Sequence, residues 1–460
     1  MSLFSQIAGS AQYESSDLNP EQIAIVCMYY IVSLLDCTQK NGPANCISVP
    51  SSLNPASFSD SDFLSACGIS EVSQQECQEK PYSNVFLSSP AHRKHISPKE
   101  TILASDNGSG KWLIGGHKTA LVILTYNRAQ YLLETANRIL EVLSSASTNY
   151  LVDVFIAIDG DDTVTKNMAT SIQSRFLDSL PDCPVELIEH KRTVVEGDTG
   201  YNYVARNMKN AFDTVLVTNK YDQAIILDDD MFIAEDFFDY FSAMSFILYE
   251  DPSVYAISAY NDNGQDSFIL DNTLVLRSDF FTGGAWMLTS TEWNAIRNEW
   301  PDGYWNDWMH QSNLFLHRAC IRPEVSRVIT FGVSGINSHP FFLKEQLGIS
   351  LNRRRVDFLK YDFAYLLKDE FDLIWRNAIE EAVELDSLDD LISAPLNRQL
   401  KIYYSKKPGL QSFRSIADKM GIMGDVLGGI PRTAYMGVVT VGYKGFRLYL
   451  VPREGLSFDY

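Results

Sequence analysis

Three carboxylates in succession, Asp228, Asp229 and Asp230, end an apolar run in IILDDDM, residues 225 to 231. Crowded like charges repel, and at the mouth of a low-dielectric core each also loses hydration, so the triplet costs stability until a cation arrives. A hard divalent metal suits such a place, because it binds through one or two protein carboxylates when a diphosphate completes its shell. Asp230, nearest the exit, is the natural ligand, which leaves Asp228 and Asp229 to accept hydrogen bonds from sugar and ribose hydroxyls. Two more polar groups end apolar runs upstream: Arg128 closes ALVILTYNR (120–128), and Asp159 stands near the end of LVDVFIAIDG (151–160). No G-x-x-x-x-G-K-[ST] loop occurs, nor a G-x-G-x-x-G after a strand, so the set suits a nucleotide-sugar better than ATP.

These groups need elements that bring them together. Apolar strands are expected at 120–128, 151–160, 184–190 (PVELIEH) and 223–230, with helices between them at 129–143, 168–180 and 203–216. Such alternation predicts parallel strands in a doubly wound α/β sheet. Ligands of such sheets sit beyond the carboxyl ends of the strands. Arg128, Asp159 and the Asp triplet then face one crevice.

With 460 residues the chain exceeds one ordinary core, so a catalytic-size domain plus a smaller one is expected. Hydrophobic content of 45%, with 12% aromatics, marks a folded protein. A formal charge of −20 argues against a nucleic-acid partner, and an anionic substrate needs a metal or local Arg and Lys. Of seven cysteines, Cys27, Cys37, Cys46, Cys67 and Cys77 crowd the start, and the last four suffice for two disulfides in an oxidising compartment. Residues 1–117 read as an N-terminal segment and stem, rich in Ser, Pro, Asn and Gly after an apolar run at 23–35. Thirteen helical residues span roughly 20 Å against a hydrocarbon core of about 30 Å, so that run reads as a buried helix rather than a membrane span. Asn107-Gly-Ser is a glycosylation acceptor triplet.

LTYNR (124–128), IDG (158–160), GYNYVARN (200–207), IILDDDMFIAEDFFDYF (225–241), DPSVYAISAYNDNG (251–264), RSDFFTGGAWML (277–288), YWNDWM (304–309) and RACIRPEVSRVITFG (318–332) occur in that order. Their sequence and spacing resemble glycosyltransferase family 13, and SFRSIADKMGIMGDVLGGIPRTAYMGVVTVGYKGFRLYLVP (412–452) extends the likeness across roughly 118 to 455. The resemblance implies a GT-A fold, that is, a Rossmann-like, mostly parallel sheet with flanking helices over 118–343. A smaller C-terminal α+β domain would follow over 344–460. It also implies a UDP-N-acetylglucosamine donor, manganese with magnesium as the other choice, and inverting transfer to a mannose-terminated N-glycan in the lumen of the Golgi. The N-terminal segment would supply the membrane anchor.

Carried over by position, the resemblance puts Arg128 and Asp159 on the UDP, with Asp159 near the uracil. Asp228, Asp229 and Asp230 fall on a Glu-Asp-Asp run whose last member ligates the metal, the first being one methylene shorter here. Asn207 replaces a His that contacts the nucleotide, and its amide can still donate and accept. Residues 331–342 (FGVSGINSHPFF) fall on a loop that closes over UDP, with Ile336 and Asn337 at donor contacts. The sharper departure is Asn306, which stands at the general-base position and cannot take up a proton. Asp307 follows at once, either as the base, if the local turn brings it round, or as a structural cap beside an impaired site. Arg318 is a cation for the diphosphate or acceptor, or else half of a salt bridge; Trp286 is an acceptor platform or core; NDNG (261–264) is a turn or a sugar contact. Two further activities remain open: transfer to O-linked mannose, and a catalytically impaired homologue that binds donor or glycan.

Overall fold

The computed structural model describes residues 112–457 apart from 146–148, 333–345, 347 and 397. The apolar run 23–35, the cysteines from Cys27 to Cys77, Asn107, Ile336 and Asn337 lie outside the described residues. All described residues except Phe331 and Gly332 belong to one compact unit. Among the described residues no helix is long and apolar enough to cross a membrane.

The chain enters the main sheet as β1 (Thr119–Thr125) and turns into α1 (Ala129–Ser144). The cycle repeats through β2 (Asp153–Asp159), α2 (Thr163–Ser179), β3 (Val185–His190), α3 (Gly200–Phe212) and β4 (Gln223–Asp228). Every residue of β1 is buried, as expected of a parallel strand covered by helices on both faces. In α1 the buried positions include Leu132, Thr135, Ala136, Ile139, Leu140 and Leu143, one stripe at helical spacing. The expected helix at 203–216 starts earlier and divides: α3 ends at Phe212, and a wider π-type turn carries the chain to Thr218. At that junction the Thr214 hydroxyl bonds back to the Asn210 carbonyl, a contact that competes with the regular ladder.

Past the triplet come β5 (Met231–Ile233), α4 (Phe237–Met244), β6 (Val254–Ser258), β7 (Val275–Ser278) and β8 (Trp286–Thr289). They are followed by α5 (Trp305–Gln311), β9 (Ala319–Pro323) and β10 (Val328–Thr330). The eight-stranded sheet runs β3-β2-β1-β4-β8-β6-β9-β7. Its first four strands are parallel, β8 is antiparallel to β4 and β6, and β9 is parallel to β6 and antiparallel to β7. This is the mostly parallel, Rossmann-like arrangement expected. Strand order reverses at β1, where the neighbours β2 and β4 lie on opposite sides, and that is where such sheets open a binding crevice. β5 and β10 pair separately as a short antiparallel ribbon just past the triplet.

The C-terminal part is α+β: α6 (Lys368–Glu381), β11 (Val383–Leu385), β12 (Leu400–Tyr404), α7 (Gln411–Met420), β13 (Val439–Tyr443) and β14 (Phe446–Pro452). Its four strands are ordered β11-β12-β14-β13 over a core that includes Leu400, Ile402, Phe413, Leu448 and Leu450. This sheet lies in the same compact unit as the larger one, and the buried Arg447 of β14 forms a two-pronged ion pair with Glu324 just past β9.

Candidate active site

β4 delivers Asp228 as its last residue, and Asp229 and Asp230 form the turn into β5. Two threonines hold that turn. Thr125, at the end of β1, donates to Asp229 Oδ2 at 2.6 Å; Thr135 of α1 donates to the Asp229 carbonyl at 2.7 Å and accepts from the Met231 N–H at 3.0 Å. β1 stops at Thr125, so Arg128 stands at the head of α1 rather than in the strand. From there its guanidinium straddles the triplet, donating to Asp230 Oδ2 at 2.8 Å and to Asp229 Oδ1.

Three carboxylates thus meet one guanidinium. Asp229 is completely buried, and lost hydration, opposed by Arg128 and aided by the Asp230 charge, pushes it up to about 7. Asp228 is exposed at the end of β4, and lost hydration among its neighbours and then the Asp230 charge push it up to about 6. Burial raises Asp230 as well, against the pull of Arg128. Fully ionised, the group carries an excess of two negative charges over Arg128, which fits a divalent cation. Among the described residues no three carboxylate, imidazole or thiolate side chains converge as a metal cage, so a cation at Asp230 would draw the rest of its shell from phosphate and water.

At the end of β2, Asp159 is buried and held by Arg192, whose Nε donates to Oδ2 at 2.9 Å, with His190 Nδ1 at 3.4 Å from Oδ1. The Arg192 guanidinium is sandwiched between Tyr126, 3.6 Å from the ring centre, and Tyr203 of α3 at 4.1 Å. Sequence reasoning missed Arg192; the only signal was a cation just past the end of β3 in HKR. Asn207 of α3 is buried, donates its amide to the Ala157 carbonyl of β2 at 3.1 Å, and has no partner for its Oδ1 among the described residues. An orphaned buried acceptor is costly, and a ligand's N–H or O–H would satisfy it.

Asn306 and Asp307 stand in the first turn of α5, neither in a strand nor in an isolated tight turn. That turn is fixed at the crevice end of the sheet. Trp305 stacks on Trp286, at the head of β8, with centroids 6.0 Å apart, and on Trp300 at 6.0 Å. Asn202, in the first turn of α3, donates to the Asp302 carbonyl at 2.7 Å. Gly303 suits this place, since a Cβ would come within 2.9 Å of Asn202 Nδ2 and push that side chain aside. Asn306 is exposed, and its backbone carbonyl pairs with His310 Nδ1 at 2.8 Å while the Phe281 N–H donates to His310 Nε2 at 3.2 Å. One ring nitrogen donates and the other accepts, so the imidazole is neutral; burial pushes its pKa down to about 4. Unfolded His protonates near 6.5, so between about 4 and 6.5 the unfolded chain binds the extra proton and this site loses stability as pH falls. His310→Gln is accordingly expected to flatten the loss of melting temperature between pH 6.5 and 4.5; an unchanged acid slope would remove His310 from that role.

Arg318 requires correction as a diphosphate or acceptor contact. It makes two 2.7 Å bonds to Glu292 and bonds the Pro252 and Val254 carbonyls. β6 starts at Val254 and runs parallel to β9, so Arg318 lies at the amino ends of these strands, opposite the crevice. Trp286 is 2% exposed and packs in the core against Phe212 and Phe281. NDNG is a turn, closed by the Gly264 N–H on the Asn261 carbonyl, and Asn261, Asp262 and Asn263 are buried. Gly284, ahead of Trp286, has φ +68°, and a Cβ there would lie 2.6 Å from Tyr260 Cβ. Cys320 is buried and its thiol is pushed up to about 12 by burial, so it is inert at neutral pH.

Comparison with known sequences decides the family. Residues 102–459 match the GNT-I family. The chain belongs to that family. It is 34% identical over 337 residues to the alpha-1,3-mannosyl-glycoprotein 2-beta-N-acetylglucosaminyltransferase of Arabidopsis thaliana, covering 72% of this chain and 73% of that protein. With membership in the GNT-I family the chain is a glycosyltransferase of GT-A fold. Among solved structures, a mannosyltransferase from Pyrobaculum calidifontis with GDP-mannose and Mn2+ aligns at 16% identity and TM-score 0.30, covering 45% of this chain and 55% of that one. The UDP complex of S. aureus TarS 1–349 aligns at 12% identity and TM-score 0.30, covering 45% and 58%. Likenesses of this strength say nothing about substrate.

Proposed function

We propose that the chain transfers N-acetylglucosamine from UDP-N-acetylglucosamine to a terminal mannose of an N-glycan, with inversion and with a divalent cation, manganese first, at Asp230. The observation that carries this reading is the meeting of the Asp triplet and Arg128 at the strand-order reversal of a GNT-I family chain. Asp159, steadied by Arg192, and the unpartnered Oδ1 of Asn207 offer acceptors to the nucleotide base and ribose. When bound, the cation offsets the charge of the departing diphosphate. Asp307 removes the proton of the acceptor hydroxyl as that oxygen bonds to the anomeric carbon and the bond to UDP breaks on the opposite face. Its carboxylate has no hydrogen-bond or ion-pair partner among the described residues, so it is not spent on capping α5. We place this reaction in the Golgi lumen, on the strength of the family likeness and the Asn107-Gly-Ser triplet.

The test is UDP release from UDP-N-acetylglucosamine with manganese and a five-mannose N-glycan. Turnover is expected. UDP binding without turnover would favour the other reading, a donor-binding homologue impaired by Asn306. Asp230→Ala is expected to abolish metal-dependent UDP binding in calorimetry, a larger loss than the roughly 10- to 100-fold that follows removal of an outer partner. Metal-dependent binding that survives in Asp230→Ala would rule the triplet out as the metal site.

The raised carboxylates add a pH signature. Between an unfolded value of about 4 and folded values of about 6 and 7, the native state holds the extra protons, so these groups lose stability as pH rises through that window. Manganese is therefore expected to raise the melting temperature of EDTA-treated protein at pH 7.5 and far less at pH 5. Equal shifts at both values would place the bound cation away from the triplet.

A further inference from the structure

We propose that the stacked pair Tyr201 and Tyr304 is an acceptor subsite, an aromatic platform for a sugar ring of the glycan next to the mannose that reacts. This deepens the reading of the site given above and rests on it.

Tyr304 precedes α5 and is 50% exposed, whereas Trp305 and Trp308 of the same segment pack onto the core. Its ring stacks on Tyr201, in the first turn of α3, with centroids 4.6 Å apart and planes 24° apart. Its backbone has φ +50°, a left-handed conformation that a bulky aromatic adopts only when its surroundings impose it. The surroundings are explicit. Arg206 of α3 donates to both carboxylate oxygens of Asp302, at 2.6 and 2.5 Å, and is itself anchored by Asp198; Asn202 takes the Asp302 carbonyl; and Gly303 admits the close approach of Asn202. The turn is thus pinned from α3, and what it displays to solvent is an aromatic ring.

Position names the ligand. Tyr304 stands three residues before Asp307, across one turn, and α3 starts at the carboxyl ends of the parallel strands, the crevice end. The donor's base has its own groups on the other side of α3, at Asp159, Arg192 and Tyr203. A hydroxyl within reach of Asp307 belongs to the acceptor, so the sugar beside it passes over Tyr304. A pyranose ring has one face of C–H bonds, which packs on an aromatic face, while its hydroxyls stay wet; a Tyr ring, apolar with a polar tip, suits that contact.

The test uses the full chain, a five-mannose N-glycan and a simple mannoside as acceptors, with Tyr304→Gly, Tyr304→Phe and Tyr201→Ala. Glycine tolerates the left-handed backbone, so Tyr304→Gly removes the ring and keeps the turn. Tyr304→Gly is expected to raise KM for the five-mannose glycan about tenfold, with donor KM and Tm unchanged and little effect on the simple mannoside. Tyr201→Ala is expected to shift glycan KM in the same direction, and Tyr304→Phe to stay within about twofold of wild type. A fall in kcat with glycan KM unchanged, a rise in donor KM, or equal effects on both acceptors would overturn the platform. Saturation-transfer NMR of the five-mannose glycan on the protein needs no turnover and separates this idea from the catalytic reading. Contact with wild type that is lost in Tyr304→Gly supports the platform even if no UDP is released, and its retention in the variant refutes it.

Discussion

Asp307→Asn is expected to lower kcat by about 10²- to 10⁴-fold, the usual range for loss of a general base, while KM for UDP-N-acetylglucosamine and Tm hold. The near-isosteric amide keeps the shape of α5 but cannot accept the acceptor's proton. Because the Asp307 carboxylate has no described partner, the change leaves no buried group unpaired, and surface changes of that kind move stability by no more than about 0.5 kcal/mol. A selective kcat effect therefore reports on chemistry rather than folding. Asn306→Asp is the informative companion. It sets a carboxylate one residue earlier on the same helical turn, about 100° round the axis. If Asn306→Asp raises turnover and rescues Asp307→Asn, the first position is the better base and the native enzyme works through a displaced one. If Asp307→Asn turns over like wild type, the base lies elsewhere and Asp307 plays no part in proton transfer.

The parallel half of the sheet and its crevice were legible because both signals are local. Fully buried strands such as TALVILT carry an unbroken apolar run, ALVIL, the helices between them carry an apolar stripe, and alternation of the two leaves little choice of pairing. That Arg128 and the triplet come together was legible for the same reason, as each stands at or just past a strand end. Arg192 was invisible because its role depends on Tyr126, Tyr203 and Asp159, three residues from three different elements. Arg318 stayed open between a diphosphate contact and a salt bridge because nothing in HRAC tells which end of β9 it occupies; that depends on β9 running parallel to β6, a pairing between strands far apart in sequence. The conformation of Asn306 and Asp307 was equally out of reach. A seven-residue helix entered through a left-handed Tyr has no periodic signature, and Asn202 and Arg206 of α3 hold that entry in place.

The largest stability loss is expected at a buried pair that makes no contact with the triplet among the described residues. Glu324 and Arg447 are 2% and 7% exposed and share two bonds, of 3.0 and 2.7 Å, between the end of β9 and β14. Glu324 also accepts the Leu270 N–H at 2.8 Å. Close by, Arg322 is fully buried and, among the described residues, makes two 3.5 Å contacts to carbonyls and leaves its Nε unpartnered; burial pushes its pKa down to about 10 against the Glu324 and Asp262 charges. Glu324 therefore pairs with Arg447 and, with Asp262, also offsets the charge of Arg322. Removing one partner of a buried pair typically costs about 3–5 kcal/mol, because the other is left charged and dry. Glu324→Ala is expected near the top of that range, since it strands Arg447, frees the Leu270 N–H and leaves Arg322 with Asp262 as its offsetting carboxylate. Arg447→Ala is expected lower in it, since Glu324 keeps Arg322 and the Leu270 N–H. The double change Glu324→Leu with Arg447→Met should recover part of the loss but not all, because Arg322 loses the Glu324 charge and the Leu270 N–H loses its acceptor. Urea unfolding of the four proteins measures these differences. Equal losses in Glu324→Ala, Arg447→Ala and the double variant would mean that packing, and not charge, holds the two sheets together at this point.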